Sequence, residues 1–250
     1  MNAGYTDLAK MIDHALLVPT LTWEELEAGC RMALAYDVAS VCIMPHALAR
    51  CAEILAGSTV QPSTTIGFPH GGQTTAAKVA EARQALADGG TELDMVVNIS
   101  RVVSGHWDHV RADIRAVTDA THAAGRKVKV IFENCHLDDA QKIHLCAICS
   151  ELGCDWVKTS TGFGTGGATE ADVALMRRHT APHVQVKAAG GIRDLDGLLR
   201  MRALGCTRCG SSRTAEILDE ANRRLGLPPV RLAGGPGTPP PGSVAASPGY

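Results

Sequence analysis

Short apolar segments alternate with longer amphipathic segments along most of the chain. The short segments are apolar on both faces, which is typical of parallel strands covered by helices. They lie near residues 11–14, 38–43, 64–68, 93–98, 127–133, 155–159, 184–189 and 207–210. Because each one is followed by a helical segment, the pattern predicts an α/β fold, a closed (β/α)8 TIM barrel. A doubly wound open sheet is the alternative.

Capping signals mark where the predicted helices begin and end. Thr22 and Glu25 have the spacing of a capping box, and Pro45 begins the next helix. Several other helices end at a glycine, as at Gly125 and Gly153. These signals agree with the hydrophobic pattern and show no boundary inside the barrel.

The end of the chain has a different composition. Residues 234–250 are rich in proline and glycine and almost free of charge. Such a segment cannot bury enough apolar surface to pack as a helix or strand. We therefore predict one barrel domain over residues 1–226 and a flexible tail over residues 227–250.

Charge and hydropathy narrow the possible partners. The 250 residues carry a formal net charge of −2, without a basic stripe for nucleic acid. No apolar run approaches the roughly 18–20 residues of a membrane span. Residues 1–7 lack the basic and apolar segments of a signal peptide. We expect a cytoplasmic protein with neither a nucleic-acid nor a membrane partner.

The cysteines and histidines could in principle bind metal. Nine cysteines, an odd number without an export signal, favour reduced thiols. Cys146/Cys149 and Cys206/Cys209 have zinc-knuckle spacing but lie inside a predicted helix and a predicted strand, which disfavours structural zinc. Among the ten histidines no third ligand joins those that share a face. We expect no metal ion and no other cofactor.

The most informative segment is Asp155–Gly167. Here a short strand delivers Lys158 to a turn rich in hydroxyl groups and glycines. Strand alternation places Trp156 and Lys158 on one face and Val157 on the other. A lysine in this position is either a reactive amine beside an anion-binding turn or a surface lysine that closes a strand.

Other chemistry-bearing residues also follow predicted strands. The strand ends carry Asp13, Cys42, Asp94, Asn98, Glu133, Lys158, Lys187 and the turn Gly210–Ser212. In such a barrel these ends form one mouth, where active sites lie. A salt-bridged network of Asp94 with one or both lysines, without catalytic function, is the alternative interpretation.

Two lysines at one mouth imply a specific chemistry. A second ammonium roughly 6 Å away, at an effective dielectric constant near 20, lowers a lysine pKa by about two units. Lys158 opens directly onto the hydroxyl-rich turn, so it is the better nucleophile for a Schiff base, while Lys187 supplies the charge. Asp94 would transfer protons. The expected reaction class is an aldol cleavage or addition.

Two glycine turns follow the last two strands. Gly190-Gly191 and Gly210-Ser211-Ser212 occupy the usual phosphate-binding position of a TIM barrel. Glycines let backbone N–H groups approach an anion, and Ser211 or Ser212 can add a hydroxyl. Arg193 or Arg213 could add positive charge.

Eight motifs match a known family in order along the chain. They are Asp13-His14, Ser40–Ile43, Ile66–Pro69, Glu92–Asn98, Lys127–Glu133, Val157–Phe163, Gly166–Thr169 and Val186–Arg193. From about residue 8 to residue 220 the chain therefore resembles the deoxyribose-phosphate aldolase family. The resemblance implies a class I aldolase that reversibly cleaves 2-deoxy-D-ribose 5-phosphate to acetaldehyde and D-glyceraldehyde 3-phosphate in deoxyribonucleotide catabolism.

The resemblance also assigns roles by position. It implies that Lys158 forms the Schiff base, Asp94 donates and accepts protons, and Lys187 lowers the pKa of Lys158. Gly162 joins the candidate phosphate-binding residues. Some members of the family end in a tail whose terminal tyrosine assists proton transfer, so Tyr250 is a further catalytic candidate. A homodimer or homotetramer is expected.

The chain departs from the family pattern at a few positions. Ala15 stands where a threonine is usual, and Arg213 and Thr214 stand where small residues are usual. Asn134-Cys135 follows Glu133 in place of the more common threonine. These departures bear on the phosphate pocket and on substrate preference. Two other functions stay open: a related Schiff-base enzyme for another phosphorylated sugar, and a non-catalytic sugar-phosphate binder.

Overall fold

The computed structural model describes residues 3–232, which form a closed barrel of eight parallel strands surrounded by helices. The strands are β1 (Ile12–Leu16), β2 (Ser40–Ile43), β3 (Gln61–Ile66), β4 (Glu92–Val96), β5 (Lys127–Ile131), β6 (Trp156–Lys158), β7 (Gln185–Ala189) and β8 (Cys206–Ser211). The helices are α1 (Tyr5–Ala9), α2 (Trp23–Ala35), α3 (Leu48–Leu55), α4 (Thr75–Ala87), α5 (Ile99–Val103), α6 (Trp107–Ala123), α7 (Asp139–Glu151), α8 (Glu170–His179), α9 (Leu195–Ala203) and α10 (Thr214–Leu225). Each strand pairs with the next, and β8 pairs with β1. The predicted TIM barrel is confirmed and the open sheet is wrong.

Strand alternation separates an apolar outer layer from a polar interior. Val157, Val186 and Met95 face outward and pack with the helices in the hydrophobic core. Residues on the opposite face of the same strands point into the barrel. The register between neighbouring strands places them at the same height along the barrel axis. Lys158, for example, is in register with Lys187. The register thus brings side chains far apart in sequence to one place.

The predicted capping box is present at the start of α2. Thr22 Oγ1 accepts a hydrogen bond from the N–H of Glu25 at 3.3 Å, and the Glu25 carboxylate accepts one from the N–H of Thr22 at 2.7 Å. Thr22→Ala is expected to lower the free energy of unfolding by about 1 kcal/mol, because it leaves a helix N–H without its partner. Urea denaturation measures the change. Thr6→Ala, on an exposed residue of α1, is the control, and an equal loss in both variants would contradict the capping role.

Two short helices are absent from the sequence prediction. α1 and α5 have five residues each, too few to show a helical repeat of apolar positions. β4 also ends at Val96, earlier than predicted, and Asn98 caps α5 by accepting a hydrogen bond from the N–H of Arg101 at 3.2 Å. Asn98 is therefore a helix cap.

Two further observations concern membrane-spanning helices and the part of the chain that the structure describes. None of the helices within residues 3–232 combines the length and the apolar character needed to cross a lipid bilayer. Residues 233–250, which include Tyr250 and most of the predicted tail, lie outside the described residues.

Candidate active site

A cluster of charged side chains fills the inside of the barrel. Its members are Asp13, Glu92, Asp94, Lys129, Lys158, Lys187 and Arg208. They come from six different strands and point inward by strand alternation. All are buried except Arg208, whose side chain keeps 13% of its surface exposed. We call this set the interior cluster.

Asp94 lies at the centre of the interior cluster. Its Oδ2 accepts hydrogen bonds from Lys158 Nζ at 2.7 Å and from Lys187 Nζ at 2.8 Å. Its Oδ1 accepts one from Lys129 Nζ at 2.8 Å. Because two ammonium groups share one oxygen, they lie well within a Debye length of each other. The structure thus brings together the three side chains that the sequence singled out.

A second level of ion pairs lies deeper in the barrel. Asp13 Oδ2 is 2.5 Å from Lys187 Nζ, and Asp13 Oδ1 is 2.5 Å from the Arg208 guanidinium. Glu92 bridges Lys129 at 2.7 Å and Arg208 at 2.8 Å. The buried carboxylates are therefore paired, as burial of charge requires.

The sequence interpretation missed three members of the cluster. Lys129, Glu92 and Arg208 lie inside strands, as Asp94 and Lys187 also do, whereas the interpretation considered residues at the predicted strand ends. Alternation could have found two of them, since Lys129 shares a face with Glu133 and Glu92 shares a face with Asp94. No comparable signal pointed to Arg208.

The interior cluster, counted over residues 3–232, holds more basic groups than acidic ones. Three carboxylates, those of Asp13, Glu92 and Asp94, face four basic side chains. A buried site does not tolerate an unbalanced charge. One basic group is therefore under pressure to lose its proton.

The pKa shifts identify that group as Lys158. Burial lowers the pKa of Lys158, and the nearby Lys187 ammonium lowers it further, against the opposing effect of Asp94. Burial also opposes the charge of Lys187, but Asp13 and Asp94 outweigh it and raise the pKa of Lys187. Lys129 behaves like Lys187, because burial is outweighed by Asp13 and Asp94, and its pKa rises. Lys158 alone of the three interior lysines shifts toward the neutral amine, which a salt-bridge network without function does not require.

The pKa of Asp94 is lowered too, and for a carboxylate a lowered pKa favours the charged form. Burial favours its protonated form, but the three lysines outweigh burial and hold its pKa below the usual range. Asp94 is therefore ionised in the free protein, so in a first proton transfer it can act only as the acceptor. Cys42 lies beside it, with Sγ 4.0 Å from Asp94 Oδ2. Burial, and then Asp94, raise the pKa of Cys42, so it stays a thiol.

Trp156 lies below the lysines, on the same face of β6 as Lys158. The indole Nε1 donates a hydrogen bond to Thr207 Oγ1 at 2.9 Å. The ring centroid lies 5.0 Å from the Arg208 guanidinium carbon and 5.7 Å from Lys129 Nζ. These are cation–π distances, so the ring stabilises the positive side of the interior cluster at the amino-terminal end of the barrel.

The glycine turns predicted to bind phosphate lie at the carboxyl-terminal mouth. Gly162, Gly190 and Gly191 have positive φ angles of 89°, 83° and 86°. The turns after β6 and β7 also touch: a Cβ atom on Gly167 would lie 2.4 Å from the carbonyl oxygen of Gly190. Such close backbone turns expose N–H groups suited to an anion.

The serines and arginines near this mouth have different surroundings. Ser211 is buried; its hydroxyl donates to the Ile192 carbonyl at 2.7 Å and accepts from the N–H of Arg213 at 3.0 Å. Its donor is therefore used within the protein, whereas Ser212 and Arg193 are exposed. Arg213 pairs with Glu216 at 3.1 Å. Backbone N–H groups and Ser212 are thus the donors best placed for an anion beside Gly210.

Thr214, one of the departures from the family pattern, contacts His14 of β1. Thr214 Oγ1 lies 2.9 Å from His14 Nδ1, and both residues are buried. Burial lowers the pKa of His14 to about 4, so the imidazole is neutral near pH 7. Thr214 therefore packs against β1 in the interior, whereas Ser212 is exposed at the surface.

The described residues offer no evident metal site. Between residues 3 and 232 no group of three or more His, Cys, Asp or Glu side chains is arranged to hold a metal ion. All nine cysteines, which lie between positions 30 and 209, are free thiols. Cys146 and Cys149 lie in α7, and Cys206 and Cys209 lie in β8.

Known proteins share both the sequence and the fold of this chain. A family model described as DeoC/LacD family aldolase matches residues 7–205. Deoxyribose-phosphate aldolase of Rhodopirellula baltica is 63% identical over 228 residues, which are 91% of this chain and 95% of the relative. That of Thermococcus gammatolerans is 45% identical over 217 residues, 86% of this chain and 96% of the relative. The tetrameric structure of deoxyribose phosphate aldolase from Aeropyrum pernix has a TM-score of 0.80 at 29% identity, covering 89% of this chain and 93% of that one.

Proposed function

The chain belongs to the DeoC/LacD family of aldolases, and we propose that it cleaves 2-deoxy-D-ribose 5-phosphate reversibly to acetaldehyde and D-glyceraldehyde 3-phosphate. It is a lyase, and its reaction belongs to the breakdown of deoxyribonucleotides. The observation that carries the proposal is the interior cluster, in which one lysine is shifted toward the neutral amine while its neighbours stay charged. That arrangement supports a class I mechanism, which proceeds through a lysine Schiff base.

In this mechanism Lys158 attacks the aldehyde carbon of the open-chain sugar. Loss of water from the resulting carbinolamine gives a protonated imine. The C3 hydroxyl then loses its proton, the C2–C3 bond breaks, and its electrons flow into the imine to leave an enamine. Glyceraldehyde 3-phosphate departs, the enamine is protonated at C2, and water releases acetaldehyde and restores the Lys158 amine.

Each step needs a proton to be moved inside a buried site. Asp94 is ionised in the free protein, so its first role is to accept a proton. Once protonated, Asp94 is itself the donor that returns the proton, while the Lys187 and Lys129 ammonium groups hold its carboxylate in place by hydrogen bonds. Lys187 has the further role of keeping Lys158 neutral. General acid–base catalysis of this kind contributes typically about 10²–10⁴-fold to a rate.

The phosphate group is assigned to the glycine turns. We propose that backbone N–H groups near Gly162, Gly190, Gly191 and Gly210 bind it, with Ser212 as hydroxyl donor and Arg193 as a nearby charge. Ser211 supports this turn through its bond to Ile192. Tyr250 is proposed to assist proton transfer, and Tyr250→Phe compared with wild type for turnover tests that role.

We also propose an oligomeric state and a cellular location for this chain. The tetramer of the Aeropyrum pernix enzyme supports a homodimer or homotetramer for this chain. Light scattering on the purified protein measures the assembly. Nine free thiols agree with a reducing compartment, and we propose the cytoplasm.

Borohydride trapping tests the proposed function. Acetaldehyde and sodium borohydride are expected to leave a stable ethyl adduct on Lys158, because reduction of the imine fixes the carbon–nitrogen bond. Peptide mass spectrometry locates the adduct, and cleavage of 2-deoxyribose 5-phosphate is assayed in parallel. An adduct on another lysine rejects the assignment of Lys158. Binding of the sugar phosphate with neither adduct nor cleavage rejects the catalytic function.

Lys187→Leu is expected to move the acid limb of the rate profile to higher pH. It leaves three basic groups facing three carboxylates, so Lys158 keeps its proton and its pKa rises. Because the neutral amine is the reactive form, imine formation near pH 7 should fall by about 10–100-fold. The pH dependence of trapping measures the shift. Lys127→Leu, on an exposed lysine, is the control, and an unchanged profile in Lys187→Leu would reject the charge role.

A further inference from the structure

Glu133 has an unusual position for an acidic residue. It follows β5 at the carboxyl-terminal mouth of the barrel and is 2% exposed. Its φ and ψ angles of 58° and 63° lie in the left-handed region, which non-glycine residues rarely adopt. It does not join the interior cluster, and within residues 3–232 it forms no ion pair with a lysine or arginine. A buried carboxylate in a sparsely populated conformation points to a functional constraint.

The partners of this carboxylate lie in the turn after β6. Glu133 Oε1 accepts a hydrogen bond from the N–H of Thr161 at 3.2 Å, and Oε2 accepts one from the Thr161 hydroxyl. Thr161 Oγ1 in turn accepts a hydrogen bond from the N–H of Phe163 at 3.0 Å. The two residues bonded in this way flank Gly162, whose φ angle is 89°. The Glu133 carboxylate therefore fixes the conformation of the turn on both sides of Gly162.

This turn has room to move if that contact is lost. A cavity of about 240 Å³ borders it and is lined by Glu133, Thr161, Phe163 and His70 among others. On the β3 side the turn contacts the barrel by the edge-to-face packing of Phe163 on Phe68, with ring centroids 5.3 Å apart. No covalent link or salt bridge within the described residues replaces the Glu133 contact.

The lysine that precedes the turn is held independently of the Glu133 side chain. The carbonyl of Lys158 accepts a hydrogen bond from the N–H of Phe132 at 2.9 Å, and the carbonyl of Thr159 accepts one from the N–H of Asn134 at 2.9 Å. Lys158 Nζ is held by Asp94. A change of the Glu133 side chain should thus move the turn and leave the amine in place.

We propose that Glu133 is a positioning residue that acts through Thr161 to hold Gly162 where it receives the phosphate group of the substrate. The inference rests on the proposed function, since it assumes that the phosphate lies at this turn. It makes Glu133 a determinant of the preference for a phosphorylated over an unphosphorylated sugar.

The test compares 2-deoxyribose 5-phosphate with 2-deoxyribose in Glu133→Ala. KM for the phosphorylated sugar is expected to rise about tenfold, the effect of losing charge-assisted hydrogen bonds. Its kcat, the kcat/KM for 2-deoxyribose and the acetaldehyde adduct on Lys158 should each change by less than about twofold. An equal loss on both sugars, or loss of the adduct, would show a merely structural role and overturn the proposal. No change on either sugar would also overturn it.

Two further variants keep the test decisive if Glu133→Ala does not fold. Glu133→Gln keeps an acceptor for the N–H of Thr161 but reverses the bond to its hydroxyl, so a smaller rise in KM is expected. Thr161→Val should give a similar rise, and the double variant should add little, because both changes remove one interaction. Additive effects would overturn the proposed pairing. Glu170→Gln, on an exposed carboxylate of α8, is the matched control.

The two hypotheses fail in different ways. If wild type neither cleaves 2-deoxyribose 5-phosphate nor forms the Lys158 adduct, the proposed function is wrong. If wild type does both while the variants keep the full preference for the phosphorylated sugar, only the role of Glu133 is wrong.

Discussion

Lys158→Ala is expected to lower kcat/KM for cleavage of 2-deoxyribose 5-phosphate by about 10⁴-fold or more, the loss typical of removing a covalent nucleophile. No neighbour can replace it. Burial is outweighed by Asp13 and Asp94 at both Lys129 and Lys187, so the pKa of each is raised and neither supplies a neutral amine. The borohydride adduct should disappear together with the activity.

The same substitution should leave the fold intact. Without Lys158 the interior cluster holds three basic groups and three carboxylates, so no buried charge lacks a partner. Steady-state kinetics, trapping and a thermal melt on the same preparation measure the three properties. Lys127→Ala, on an exposed lysine, is the control. A well-folded Lys158→Ala protein that still forms an adduct would move the nucleophile to another residue.

Asp94→Asn is expected to separate imine formation from turnover. Asp94 raises the pKa of Lys158, so its replacement by a neutral amide should leave Lys158 more often neutral. Trapping with acetaldehyde should therefore persist near pH 7. Turnover should fall by about 10³-fold, because the group that accepts and returns protons is lost.

A thermal melt must accompany this experiment. Asp94→Asn leaves two carboxylates facing four basic groups, and the stability of the barrel should decrease. Asp113→Asn is a useful comparison, since it neutralises a buried carboxylate paired with Lys78 outside the site. If Asp94→Asn loses trapping and turnover in equal measure while staying folded, the proposed division of roles is wrong.

Much of the fold was readable from the sequence. The alternation of short apolar and long amphipathic segments, with eight units in this length, favours a closed barrel over an open sheet, and caps such as Thr22 indicate where several helices begin. Residues at strand ends were found because all carboxyl ends of a parallel barrel meet at one mouth. Lys158 does end its strand, whereas Asp94 and Lys187 lie inside β4 and β7, below the ends at which the sequence pattern placed them.

What could not be predicted depends on contacts between distant parts of the chain. Arg208 matters because β8 closes onto β1 and brings its guanidinium to Asp13, a pairing across 195 positions. The bond between Glu133 and Thr161 depends on a left-handed backbone conformation that no residue pattern announces. The hydrogen bond from the Ser211 hydroxyl to the Ile192 carbonyl also depends on the folded turn and could not be predicted from the sequence.

The structure also changes the explanation for the lowered pKa of Lys158. From the sequence, the main cause expected for a lowered lysine pKa is repulsion between two ammonium groups, with partial burial as an addition. In the structure burial is the larger cause of the lowered pKa of Lys158, and Lys187 adds to it. The pKa of Lys158 therefore depends on its burial and on charges carried by other strands, those of Asp94 and Lys187 above all.

The place of Trp156 makes its indole a candidate optical probe of the interior cluster. Indole fluorescence responds to the electric field of nearby charges, and this ring lies within 6 Å of both Lys129 and Arg208. The other two tryptophans are Trp23, which is exposed, and Trp107, which stacks on His144. A protein with phenylalanine at positions 23 and 107 would carry a single emitter beneath the amine. We expect its emission wavelength to shift when the charge of the interior cluster changes.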